Sequence, residues 1–123
     1  MRIYIAGPIS GTTDWKERFR EAEFAVVRAG HSPLNPADNW PDACTPPHPE
    51  GCEYCPPNSV AMRTAVHQLL DADAILLLSG WSDSKGASLE EQIARALELP
   101  RYWIVDGKIG LLGTAAGPVR AKK

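Results

Sequence analysis

Short apolar runs alternate along the chain with segments of helical period. Arg2-Ile3-Tyr4-Ile5-Ala6 is a brief run, cut off by Gly7-Pro8, and reads as a buried strand. After the turn Gly7-Pro8-Ile9-Ser10-Gly11, the residues Trp15, Phe19, Ala22, Val26 and Ala29 recur at helical spacing and form one apolar stripe. A helix is predicted from about Asp14, with Glu17 as a capping-box partner and Gly30 as its stop. A second strand is predicted over His31 to Leu34, ending at Asn35-Pro36. A second helix, Ser59 to Leu70, turns Met62, Val66, Leu69 and Leu70 inward, and Asp73 to Leu78 makes a third strand. A third helix, Ala87 to Leu97, buries Leu89, Ile93 and Ala96 or Leu97. Pro100 ends it, Tyr102 to Val105 is a fourth strand, Asp106-Gly107 is a turn, and Ile109 to Leu112 adds a short edge strand.

Strand and helix in alternation build βαβ units. The predicted fold class is therefore α/β: a three-layer, Rossmann-like sandwich around a parallel sheet of four to five strands, in order about 2-1-3-4. In that order the chain leaves strand one on one side and returns on its other. The crevice lies at this switch point, outside the carboxyl ends of strands one and three. The loops there are Gly7 to Thr13 and Ser79 to Ala87, and function is expected between them.

Composition adds bounds. The chain has 123 residues, 44% of them apolar, which suits a single domain over 1–123 with one core. A formal net charge of -2 leaves no basic excess to neutralise many phosphates, so no nucleic-acid partner is expected. The basic end, Arg120, Lys122 and Lys123, belongs to a stretch, 113–123, expected to be a flexible tail. No apolar run is long enough to span a bilayer and the N-terminus lacks a signal-peptide pattern, so no membrane partner and a cytoplasmic location are expected. Three cysteines cannot all pair within one chain, which fits a reducing compartment.

Residues 36–57 hold seven prolines and no sustained period, and form a long Pro/Cys-rich loop insertion. Cys44, His48, Cys52 and Cys55 fall there with spacing C-x3-H-x3-C-x2-C. Four soft ligands so close can close a tetrahedral structural zinc site with no position left for catalysis. Free thiols, or a redox pair of Cys52 and Cys55, account for the same residues. No cofactor is expected for catalysis.

Candidate binding residues lie in the two crevice loops. Gly7, Pro8, Ile9, Ser10 and Gly11 join a strand end to a helix start, where free N–H groups suit an anion such as a 5′-phosphate. A tight turn needing glycine for geometry alone explains them equally well. The turn is neither GxGxxG nor a Walker loop. In the second loop, Ser84, Gly86 and Ala87 could offer a hydroxyl and N–H groups to a phosphate. Glu90 follows in the first turn of the third helix, where an isolated acid is commonly just a favourable dipole partner, but this helix start faces the crevice; Glu91 is expected to point elsewhere into solvent. Asn35 either contacts a ligand or only ends its strand. Trp81 and Trp40 either stack on a base or act as lids.

The segments IYIAGPISG, GHSPLNP and LLDADAILLLSGWSDSKGASLEEQIARALELP together resemble a family of often phage-borne proteins. That family is similar to the nucleoside 2-deoxyribosyltransferases and the 2′-deoxynucleoside 5′-monophosphate N-glycosidases. The resemblance implies a flavodoxin-like fold, a homo-oligomer, and a small-molecule nucleotide or nucleoside as partner. It implies that Glu90 attacks the anomeric carbon of the sugar to form a glycosyl-enzyme, which water or a second base resolves. Transferases of the group tend to carry aspartate at the position of Ser84. A serine there resembles the monophosphate N-glycosidases, in which it helps to hold the 5′-phosphate.

One position departs from the pattern. Related enzymes often carry an acid where this chain has Ala65, leaving Asp38, Asp42 or His67 as substitutes for handling the departing base. The expected function is thus an N-glycosidase or deoxyribosyltransferase acting on a nucleoside 5′-monophosphate. The alternative is a non-catalytic nucleotide-binding or sequestering protein on the same fold. A third possibility is an interaction protein working through the Cys-rich loop.

Overall fold

A computed structural model of the chain describes residues 1–8, 14–39, 58–114 and 117–118. In chain order the elements are β1 (Arg2–Ala6), α1 (Trp15–Arg28), β2 (Ser32–Leu34), a 3-10 turn (Pro36–Asn39), α2 (Asn58–Leu70) and β3 (Ala74–Leu77). A second 3-10 turn (Trp81–Asp83), α3 (Lys85–Ala96), β4 (Arg101–Val105), β5 (Lys108–Thr114) and β6 (Gly117–Pro118) follow. The strands form one sheet in the order β2-β1-β3-β4-β5-β6.

The first four strands are parallel, with Tyr4 of β1 beside Leu34 of β2 and Ile75 of β3, and Ile75 beside Arg101 of β4. The chain steps from β1 to β2 on one side and then to β3 on the other, so the switch point falls where the alternation of strand and helix predicts it. The sheet is not parallel throughout, because β5 and β6 run antiparallel. The reason is local. Asp106 and Gly107 both take positive φ, 53° and 75°, and close a two-residue hairpin between Val105 and Lys108. β5 extends to Thr114, and β6 lies at Gly117–Pro118, so part of the stretch expected as a flexible tail is paired in the sheet.

Strand alternation divides the core into two layers. Ile3 and Ile5 of β1 and Ala74, Leu76 and Leu78 of β3 meet Trp15, Phe19, Ala22 and Val26 of α1. Tyr4 and Ala6, with Ile75 and Leu77, face the opposite way, onto Ala65 and Leu69 of α2 and Ala87 and Ala94 of α3. The stripe predicted for α1 is buried except for Ala29 at its C-terminal end, and Ala25 joins it. Asp14 precedes α1 without a side-chain capping bond, so the expected capping box with Glu17 does not form.

Two helices are turned relative to expectation. On α2, Ala65 and Leu69 are buried while Leu70 is exposed. On α3 the buried residues are Ala87, Glu90, Glu91 and Ala94, whereas Leu89 and Leu97 are exposed. On the sequence reading, Glu90 faces the crevice and Glu91 points into solvent. The fold instead buries them, because each finds polar partners inside.

Candidate functional site

At the carboxyl ends of β1 and β3 the two crevice loops meet. The Leu78 N–H donates to the Ala6 carbonyl at 2.8 Å, drawing the strand ends together. A Cβ on Gly7 would stand 2.8 Å from Cβ of Leu78, so the approach of the neighbouring strand itself demands glycine there. Gly80 has φ +87°, and a Cβ on it would lie 3.4 Å from the Pro8 ring. Pro8 therefore seats on Gly80, joining the first loop to the second. Arg18 of α1 donates to the Ser79 carbonyl at 2.6 Å and ties the second loop to the other layer.

The Trp81–Asp83 turn leads into α3, and Ser84 is the N-cap, its hydroxyl oxygen accepting from the Ala87 N–H at 3.3 Å. Ser88 donates toward the carbonyls of Ser82 and Trp81, at 3.1 and 3.3 Å, pinning the turn against the helix. Gly86 lies close to α2, since a Cβ there would sit 3.3 Å from the Met62 methyl. Trp81 is half-buried against the layer that contains Tyr4, Ala6 and Ala87. Because α3 begins at Lys85, Glu90 stands in its second turn rather than its first.

Glu90 is buried, and its Oε2 accepts a hydrogen bond from the Tyr4 hydroxyl. Burial disfavours the charged carboxylate and pushes its pKa up to about 7, an increase that the Tyr4 hydrogen bond partly offsets. Burial and the adjacent Glu90 push the Tyr4 hydroxyl far above the ordinary phenol range, so it remains a donor. The site thus holds a carboxyl group able to exchange a proton near neutrality, in an apolar wall beside a permanent hydroxyl donor. Such a group can serve as a nucleophile or as a general acid or base.

Glu91 is not in solvent as expected. Its side chain is 1% exposed and accepts from Arg95 at 2.6 and 3.2 Å and from Arg101 at 3.1 Å. Asn35 is buried and structurally committed, donating to Glu23 at 3.0 Å and accepting from the Ala37 N–H at 2.9 Å. That arrangement is an Asx-type cap on the turn after β2. Ala65 is buried in the layer of Tyr4 and Leu69, and His67 is exposed on α2.

Among the predicted residues, Gly7, Pro8, Trp81, Ser84, Gly86, Ala87 and Glu90 belong to the two loops and helix start at the switch point. Ile9, Ser10, Gly11, Trp40 and Asp42 lie outside the described residues, as do Cys44, His48, Cys52 and Cys55. Among the described residues no group of three or more His, Cys, Asp or Glu side chains could hold a metal ion, and no helix is long and apolar enough to cross a membrane. Sequence reasoning missed Tyr4, Arg18 and Arg101. Tyr4 carried a signal, a polar-tipped aromatic inside an apolar strand, since a buried tyrosine hydroxyl needs a partner.

Residues 1–102 match the family described as Domain of unknown function (DUF4406). No curated protein matches the chain. Among solved structures, the fold is similar to that of a 2-deoxyribosyltransferase from the psychrotolerant bacterium Bacillus psychrosaccharolyticus, at 20% identity and a TM-score of 0.59. The similarity covers 84% of this chain and 71% of that one.

Proposed function

This chain belongs to the DUF4406 family, and we propose that it cleaves or transfers the N-glycosidic bond of a nucleoside 5′-monophosphate, with Glu90 as the nucleophile. The observation that carries the reading is the burial of Glu90 against Tyr4, on the helix that starts at the switch point. The similarity of the fold to a 2-deoxyribosyltransferase supports nucleoside chemistry in general.

In this mechanism the ionised Glu90 attacks C1′ of the sugar as the bond to the base breaks. The base leaves with the bonding electron pair and takes up a proton. A covalent glycosyl-enzyme ester results, and water or a second base then displaces Glu90 at C1′. The Tyr4 hydroxyl orients the carboxyl and stabilises its charged form before attack and after release. Ser84, with the N–H groups of Lys85 and Gly86 at the start of α3, suits the 5′-phosphate. Gly7 and Pro8, packed against the second loop, would close the phosphate side.

A second reading is favoured by Ala65. It sits in the apolar layer with Tyr4, and His67 is turned to solvent, so neither supplies a proton to the leaving base. The same two loops and helix start would then bind a nucleotide without turning it over.

The test is incubation with nucleosides, deoxynucleosides and their 5′-monophosphates, following free base by chromatography beside Glu90→Gln. Release of base that disappears in the variant supports the enzyme. Saturable binding of one nucleotide with no base released from any candidate favours the second reading.

A further inference from the structure

Two consecutive glutamates on α3 are both buried and are held in opposite ways. Glu90 meets a neutral donor, the Tyr4 hydroxyl of β1. Glu91 meets two cations, Arg95 one turn along the same helix and Arg101 at the start of β4. Side chains one residue apart on a helix project about 100° from each other. The helix therefore aims one carboxyl toward β1 and the next toward β4, on either side of the stripe made by Ala87 and Ala94.

Among the described residues, the charged side chains of the neighbouring elements differ in exposure. The strand β3, between β1 and β4, carries none. Asp83 before α3, and Arg63 and His67 of α2, are exposed. Arg101 is different: its side chain is 17% exposed, and its Nε is buried with no hydrogen-bond partner among the described residues. Its guanidinium is thus held by Glu91 through one nitrogen, with donor capacity to spare. A guanidinium is a planar fork suited to gripping a carboxylate with two bonds. Without Glu91, the neighbouring carboxyl on α3 is Glu90.

We propose that Glu91 is a positioning residue for Glu90, holding Arg95 and Arg101 so that neither guanidinium reaches Glu90 and the Tyr4 hydroxyl remains its donor. The inference rests on the reading of Glu90 as a nucleophile only for its purpose. A carboxylate gripped by a guanidinium has its lone pairs engaged and its charge neutralised, and makes a poor nucleophile. The arrangement resolves two adjacent acids into two roles by giving Arg95 and Arg101 to one of them.

The test is a carboxyl-carbon NMR titration of the full chain labelled in glutamate, with the Glu90 signal identified by its loss in Glu90→Gln. In Glu91→Gln, Arg101 is released, and the midpoint of Glu90 is expected to fall by about one pH unit or more. In Glu91→Gln/Arg101→Met the released cation is gone, and the midpoint is expected to return to the wild-type value. An unchanged midpoint in Glu91→Gln, or a double variant that stays shifted, overturns the proposal. If Glu91→Gln does not fold, Glu91→Asp takes its place. Its carboxylate is one methylene shorter and cannot span both arginines, so a smaller fall in the same direction is expected, and no fall overturns the proposal. These titrations use no substrate. A chain that releases no base from any nucleotide therefore overturns the catalytic reading while leaving this one to its own result.

Discussion

The Tyr4 hydroxyl donates a hydrogen bond to Oε2 of Glu90, joining the interior of β1 to the second turn of α3 beneath the switch point. A strand residue and a helix residue distant in sequence thereby share one buried proton-bearing contact. Its geometry depends on register. Tyr4 lies on the α2/α3 side of the sheet, whereas its neighbours Ile3 and Ile5 face α1. A slip of β1 by one residue would put an isoleucine opposite the carboxyl.

Tyr4→Phe removes the donor and leaves the ring. Because that hydrogen bond lowers the pKa of Glu90, its loss moves the carboxyl further above about 7. Base release requires the ionised carboxylate, so in the wild type it should rise with pH through about 7 and be lost in acid. In Tyr4→Phe the rising limb moves to higher pH, and the rate at neutrality drops about tenfold or more, the worth of a hydrogen bond to a charged group. A pH–rate profile of both proteins checks this. A limb that stays in place would mean that Glu90 does not set it.

The same burial makes Glu90 a stability switch. Its folded pKa of about 7 lies above the ordinary value of 4.5, so the native state binds the proton more tightly than the unfolded chain. This contribution is fully present below the unfolded pKa and is lost as pH rises through the folded one. The loss amounts to about 3 kcal/mol for one buried group with this shift. Glu90→Gln should abolish that dependence and be more stable than the wild type in mild alkali. Urea unfolding of both proteins, near about pH 5 and about pH 8.5, measures the difference. Parallel slopes in the two proteins would refute it.

Parts of this arrangement were legible in the chain and parts were not, for identifiable reasons. The parallel pairing of β1 to β4 follows from alternating strands and helices, because parallel neighbours need crossovers and the crossovers supply the helices. The hairpin into β5 had its signal in Asp106-Gly107, while the extension of β5 to Thr114 runs through small residues that carry little strand pattern. The face of α3 was hidden by chemistry. The sequence places Leu89 inside, Glu90 at the crevice and Glu91 in solvent, whereas Tyr4 on β1 holds Glu90 inside and Arg95 and Arg101 hold Glu91 there. Tyr4 is far from Glu90 in sequence, so no local pattern reveals that contact, whereas Arg95 stands one turn beyond Glu91 on the same helix and could have signalled the other. Such a conflict between pattern and burial is expected where a site overrides packing.

Gly7 tests whether the first loop serves packing or ligand. A Cβ there would lie 2.8 Å from Cβ, 3.1 Å from Cδ1 and 3.2 Å from Cγ of Leu78. Gly7→Ala should therefore destabilise the fold by about 1–3 kcal/mol, the cost of overpacking a tight contact. Leu78→Ala in the same chain removes the two longer contacts but keeps the 2.8 Å one, so it should rescue only in part. Chemical denaturation of the single and double variants checks both. A Gly7→Ala protein of wild-type stability that no longer binds nucleotide would assign the glycine to the ligand instead.

Ser84 separates two jobs that one hydroxyl can do together. As N-cap of α3 its oxygen accepts from the Ala87 N–H. That leaves the hydroxyl hydrogen for a phosphate oxygen. Aspartate caps a helix as well as serine does, but it brings a negative charge and no hydrogen to donate. Ser84→Asp should therefore keep the helix and its stability within about 0.5 kcal/mol, whereas Ser84→Ala should lose about 1 kcal/mol. If the site holds a 5′-phosphate, Ser84→Asp loses nucleoside monophosphates selectively through like-charge repulsion and retains the corresponding nucleosides. Calorimetric binding of a nucleoside and its 5′-monophosphate to the three proteins, with thermal unfolding in parallel, reads both jobs separately. Equal loss of the two ligands in Ser84→Asp would remove the phosphate from this end of α3 and leave Ser84 as a cap alone.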